Sequence, residues 1–162
     1  MEQISLNERI AAFWQWSCQV YQYSDVRKLC LELQDHYQLN VNYLLLSIWA
    51  EQQSIDLSPE SWQKVRDKSE NILNTIAIVR AKRLIYKEKD RVLYEKLLEM
   101  ELEGERLLQR SALITLSPFW QSGLEKLKIN HNLQVYVETV SNRPDALQEA
   151  FKLGYLVQNL KV

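Results

Sequence analysis

Asn40-Val41-Asn42-Tyr43-Leu44-Leu45-Leu46-Ser47-Ile48-Trp49-Ala50-Glu51-Gln52-Gln53 is the stretch whose reading decides the fold. From Tyr43 to Ala50 nearly every residue is apolar, so no polar face survives at a period of 3.6 or of 2. A helix that is apolar all round is buried on all sides. A membrane span needs ~20 apolar residues and this run has roughly half that, so it belongs at the centre of a globular core. Leu and Ala favour helix over strand, and Asn40 or Asn42 can cap its start. Residues 41–53 are therefore expected to form a core helix around which the others pack.

The flanks extend the helical pattern. Upstream, Ser5-Leu6-Asn7-Glu8 has the form of a capping box and opens a first helix to about Tyr23. Ile10, Phe13, Trp14, Ser17 and Tyr21 line one of its faces. Ser24 is expected to cap a second helix, Asp25 to Tyr37, and short links make these three helices antiparallel neighbours. Downstream, Ser58-Pro59-Glu60 combines an N-cap, a proline at the first helical position and an acid in the first turn. The helix it starts is expected to reach about Lys87, with a break at Asn71–Asn74 as an alternative. A turn within Tyr86–Asp90 leads to a fifth helix, Arg91 to Leu116, with apolar positions at Val92, Leu93, Leu97, Met100, Leu107 and Leu108. Ser117-Pro118 ends it or opens a short helix carrying Phe119, Trp120 and Leu124. Asn132 is expected to cap a helix through Val140, and Arg143-Pro144-Asp145 starts the last one. Val135, Tyr136 and Val140 would suit a strand, but with no second strand to pair they read as helix.

Composition agrees. Three Gly and three Pro in 162 residues are too few for sandwich or α/β folds, which need turns at short intervals. The net charge of −1 provides no global field for nucleic acid. Charge is segregated locally instead: residues 1–58 carry 3 basic and 7 acidic side chains, and residues 59–92 carry 9 and 5. Cys18 and Cys30 lie inside helical patterns without CxxC spacing, and are expected to be buried, reduced thiols. Met1-Glu2-Gln3-Ile4-Ser5 has no basic and apolar leader pattern, so a cytoplasmic protein is expected.

Chemistry-bearing patterns are sparse. Arg80, Arg83 and Lys87 share one helix face, and Glu95, Glu99 and Glu103 recur every four residues beyond the turn, with Glu101 and Glu105 adjoining. A hairpin turning near Lys89 sets Arg80 level with about residue 98, facing Arg80 and Arg83 towards Glu95 and Glu99. Such an arrangement reads as an exposed ion-pair ladder worth ~0–1 kcal/mol per pair. Its sharper reading is an anion- or partner-binding face of Arg80, Arg83 and Lys87 with Glu99, Glu101 and Glu105. Neither His36 nor His131 follows a Glu by three positions, so the di-iron pattern is missing and no metal or cofactor is expected. No nucleophile elbow, P-loop or dinucleotide-binding glycines occur, and no catalytic residue can be named.

Aromatic residues crowd the first fifty positions. Trp14, Trp16 and Trp49 are the candidates for an interface or pocket. Trp14 and Trp16 project about 160° apart, so one of them is expected to be partly exposed. Asn40 and Asn42, at the mouth of the core helix, read either as ligand contacts at a helix N-terminus or as caps and loop hydrogen bonds.

Phe13-Trp14-x-Trp16-Ser17-x-x-Val20-Tyr21, Cys30-Leu31-x-Leu33-Gln34-Asp35 and Asn40-Val41-Asn42-x-Leu44-Leu45-x-x-x-Trp49 resemble a conserved hypothetical family of small bacterial proteins found chiefly in gammaproteobacteria. Arg80, Arg83, Glu101, Leu102 and Glu105 are similar to a second, weaker block of that family. The resemblance implies a bacterial cytoplasmic domain of unknown function and no activity.

The expected architecture is one all-α domain, residues 1–162, of six or seven helices around the buried central helix. Surplus aromatics, segregated charge and the missing catalytic pattern point to a non-enzymatic binding or regulatory module. It would dock a protein partner or a second copy of itself, with no nucleic acid and no membrane span. The alternative is a small-ligand binder or enzyme with a closed pocket between the aromatic N-terminal helices and the Arg80/Arg83 face.

Overall fold

The computed structural model of the chain describes residues 4–120 and 127–161, and every regular element among them is helical. Helix α1 (Leu6–Tyr21) starts with the expected capping box, Ser5 and Glu8 each accepting a backbone N–H from the other, at 3.2 and 2.8 Å. Helix α2 (Ser24–Tyr37) begins at Ser24 itself; Tyr23 occupies the cap position, and no side chain caps this end. It closes at Gln38, whose left-handed φ of 58° reverses the chain.

Helix α3 (Val41–Gln52) is the predicted core helix. The Asn40 side chain accepts the Tyr43 N–H at 3.2 Å, and every residue from Asn42 to Ala50 is buried. Burial on all sides follows from the sequence: a helix with no polar face is stable only where neighbours surround it. α1, α2, α5, α6 and α7 all pack against it.

Helix α4 (Pro59–Tyr86) is capped by Ser58 and runs unbroken through 71–74, about 42 Å of helix. The expected continuous helix forms and the alternative of a break does not, with Asn71 and Asn74 exposed on its surface. Helix α5 (Arg91–Leu116) is capped by Asp90, and pairs with α4 as an antiparallel hairpin, the most extensive helix contact of the fold. A 3₁₀ turn, Ser117–Phe119, follows; Leu124 lies outside the described residues.

Helix α6 (His131–Val140) starts one residue before Asn132, and its cap is borrowed from α3. The Glu51 carboxylate accepts the backbone N–H groups of Asn130 and Asn132 at 3.0 and 3.3 Å, placing negative charge on the helix N-terminus. Asn132, freed from capping, is buried: it accepts the Leu57 N–H at 3.0 Å and donates to the Ile55 carbonyl at 2.7 Å. Helix α7 (Pro144–Gln158) packs on α2 and α6.

Two aromatic clusters fill the centre. Tyr43, Trp62 and Tyr136 meet with centroids 4.8–5.8 Å apart. Trp49 sits 5.1 Å from Phe13 and 5.6 Å from Trp120. Among the described residues no helix is long and apolar enough to cross a membrane.

Candidate functional site

The α4–α5 hairpin is built on a seam of small residues. Ser69 and Ser111 bring their hydroxyls to 3.3 Å, and a Cβ on Gly104 would lie 2.7 Å from Ile76 Cγ1. Ser69, Ile76 and Arg83 on α4, and Leu97, Gly104 and Ser111 on α5, therefore repeat every seven residues along the contact. This register sets Arg80 level with residue 100 rather than 98. Two residues turn a helix by about 200°, so the acidic face presented is a different one. Arg80 and Arg83 meet Glu101 and Glu105, not the expected Glu95 and Glu99. Glu95 pairs instead with Arg91 at 3.1 Å in solvent, and Glu99, Glu103 and Lys87 are exposed.

Arg80 bridges both carboxylates, its Nε donating to Glu101 at 2.8 Å and its Nη2 to Glu105 at 3.1 Å. Arg83 Nε donates to the other Glu101 oxygen. The cluster is half-buried rather than an exposed ladder: the Arg83 and Glu101 side chains retain only 17% and 11% of their accessible surface. Burial opposes ionisation of Glu101, but the hydrogen bonds from Arg83 and Arg80 outweigh it and hold its carboxyl below the ordinary range. Glu105 differs: burial pushes its carboxyl upward, against the lowering effects of Arg80 and Asn42.

The cluster continues into the core. Asn42, on the buried face of α3, donates to the second oxygen of Glu105. Gln109 donates to Asn42 Oδ1 at 2.8 Å and to Ser17 Oγ at 3.0 Å, and Ser17 in turn donates to the Trp14 carbonyl at 2.9 Å. A polar chain thus links α4, α5, α3 and α1. Sequence reasoning assigned Ser17 to plain packing and passed over Gln109. The available signal was the stripe Leu98, Leu102, Glu105, Gln109, Leu113, Leu116, in which two polar residues occupy positions of an apolar face.

The remaining candidates separate. Asn40 is a cap whose backbone N–H also donates to Tyr136 Oη at 2.9 Å. Trp49 is core; Trp14 and Trp16 are both half-buried, with the Arg106 guanidinium over the Trp14 ring at 5.1 Å. Cys30 is buried, but Cys18 is exposed, because α1 turns Phe13, Ser17 and Val20 inward and leaves position 18 outside. Asn42, Gln109 and Ser17 fill the space between the aromatic helices and the Arg80/Arg83 face with their mutual hydrogen bonds. An open groove of about 910 Å³ lies elsewhere, along the base of the hairpin between Lys64, Ile72, Leu107, Ile114 and Phe119. Among the described residues no three His, Cys, Asp or Glu side chains converge as metal ligands.

Beyond the charge cluster no other described element of the chain covers the hairpin. Between Ala77 and Met100 only Val79 and Leu97 are buried, and both lie outside the main core. Leu98 and Leu102 continue the α5 stripe that buries Leu113 and Leu116, but stay about half exposed. On α4, Ala77, Ile78, Ala81, Leu84 and Ile85 are all exposed, Ile78, Leu84 and Ile85 by more than half. Val92 and Met100, expected to pack, are exposed as well. The expectation of packing thus fails at Val92 and Met100, because among the described residues no further helix covers this part of the hairpin.

A family model described as Protein of unknown function (DUF2390) matches residues 12–112, and the chain belongs to that family. The match takes in α3, the polar chain and nearly all of the hairpin, and ends before α6. No curated protein and no solved structure matches.

Proposed function

We propose that this member of the family is a non-enzymatic protein-binding module, bacterial and cytoplasmic, whose docking element is the free half of the α4–α5 hairpin. The observation that carries this reading is the run of exposed apolar side chains at Ala77, Ile78, Ala81, Leu84 and Ile85. Single exposed apolar residues are ordinary, but contiguous patches on a soluble protein mark interaction surfaces. The charge cluster has a supporting role: with Arg80 and Arg83 engaged by Glu101 and Glu105, it fixes the root of the hairpin and the direction in which the free half projects. The cytoplasmic part of the reading draws on the two free thiols, and the bacterial part on the family resemblance.

The test is a photo-crosslinking residue placed at position 85 in the native host, with position 155 on α7, also exposed, as control. A discrete protein adduct from 85 and none from 155 is expected. Equal adducts from both positions, or none from 85, would overturn the reading.

A further inference from the structure

We infer that the partner on this face is a second copy of the chain, with α4 crossing α4 antiparallel about Ala81; the inference rests on the docking reading above. Two observations favour self-association. The outer face of α4 carries no charge between Glu70 and Glu88, since positions 74, 77, 78, 81, 84 and 85 are Asn, Ala, Ile, Ala, Leu and Ile. In a chain in which one residue in four is charged, an uncharged face lets two identical surfaces meet without repulsion. A partner of different sequence would gain rate and specificity from charge that this face does not offer.

The pattern also suits an antiparallel crossing at Ala81, with a small residue level with a large one at Ala77 and Ile85. Ile78 precedes Ala81 by three residues and Leu84 follows by three; Ala77 precedes by four and Ile85 follows by four. A twofold axis through Ala81 sets Ile78 of one copy beside Leu84 of the other, and Ala77 beside Ile85, each large side chain flanking the gap left by the alanines. This is the self-complementarity an isologous interface requires, and an alanine at the crossing point lets the backbones approach.

Size sets the strength. Ile78, Leu84 and Ile85 each keep more than half of their surface in solvent. With the alanines and the stems of flanking polar residues, pairing buries roughly 1,000 Å² in total, the lower end of specific interfaces. The association is therefore reversible, and depends on protein concentration.

The experiment combines sedimentation velocity with cysteine crosslinking in a Cys18→Ser background. As protein concentration rises from micromolar to near millimolar, the mass should climb from 19.2 kDa towards twice that value. Ile78→Glu with Ile85→Glu should stay at one chain mass while keeping its helical circular dichroism. Ala81→Cys should form an interchain disulfide under mild oxidation, and Glu99→Cys, on the exposed side of α5, should not. A wild type that remains at one chain mass throughout, with positions 81 and 99 crosslinking alike, overturns the dimer. If the adduct from position 85 persists in that case, docking stands with a different partner; if it is lost too, both readings fail.

Discussion

Asn42 on the central helix donates its side-chain N–H to Glu105 on the hairpin, and so ties the most buried element of the fold to its most exposed one. Its carbonyl oxygen accepts from Gln109 at 2.8 Å, leaving neither end of the amide free. Asn42→Leu would fill the space yet leave Glu105 Oε2 and one Gln109 amide hydrogen without their partner, while Arg80 and Ser17 keep theirs. A loss of about 1–3 kcal/mol is expected in urea unfolding. A change within ~0.5 kcal/mol would show that the polar chain contributes nothing to stability.

The two carboxylates should act on stability with opposite signs. Glu101 is held below the ordinary range, so its contribution is complete above the unfolded-state value and is lost as pH falls through the lowered native one. Glu105 is raised by burial, so its charged form opposes folding; stability due to it grows as pH drops from the raised native value towards the ordinary carboxylate range. Urea midpoints should therefore rise slightly on mild acidification before falling in stronger acid. Glu101→Gln should cost about 1–3 kcal/mol at neutral pH, with the gap to wild type closing in acid.

Gly104→Ala tests the seam. On an exposed helix the change gains ~1 kcal/mol of propensity. Here the new methyl meets Ile76 Cγ1, an atom near the backbone that cannot swing away. Net destabilisation of about 1–3 kcal/mol is expected, and a stabilised variant would mean that the helices can part at no cost.

How much of this the sequence disclosed depended on whether the cause was local. The apolar run from Tyr43 to Ala50 dictated a buried helix by its own composition, and the Ser5/Glu8 and Ser58-Pro59 starts are set by atoms within one turn. Failures came where a distant group decides. Asn132 resembles a cap, but Glu51, eighty-one positions earlier in the chain, takes the capping role. The hairpin was legible and its register was not, because the pairing is fixed by Gly104 seating against Ile76, and an error of two residues exchanges one acidic face for another. The convergence of Ser17, Asn42 and Gln109 has no local signature at all.

The thiols offer a simple check of the packing. Burial pushes the Cys30 thiol up to about 12, and Cys18 lies at the surface. A thiol reagent should label Cys18 alone in the folded protein, and Cys30 only on unfolding. Native labelling of Cys18→Ser would show that α2 opens readily.

The account's central claim is a division of labour: the charge cluster holds the fold, and the apolar face beyond it holds a partner. Ile85→Glu tests both halves at once, read as thermal unfolding together with the in-cell adduct from a crosslinker at position 81. Since Ile85 is more than half exposed, its replacement should leave stability within ~0.5 kcal/mol while abolishing the adduct. A lowered melting temperature with the adduct intact would mean that this face serves the fold alone, and would contradict the account.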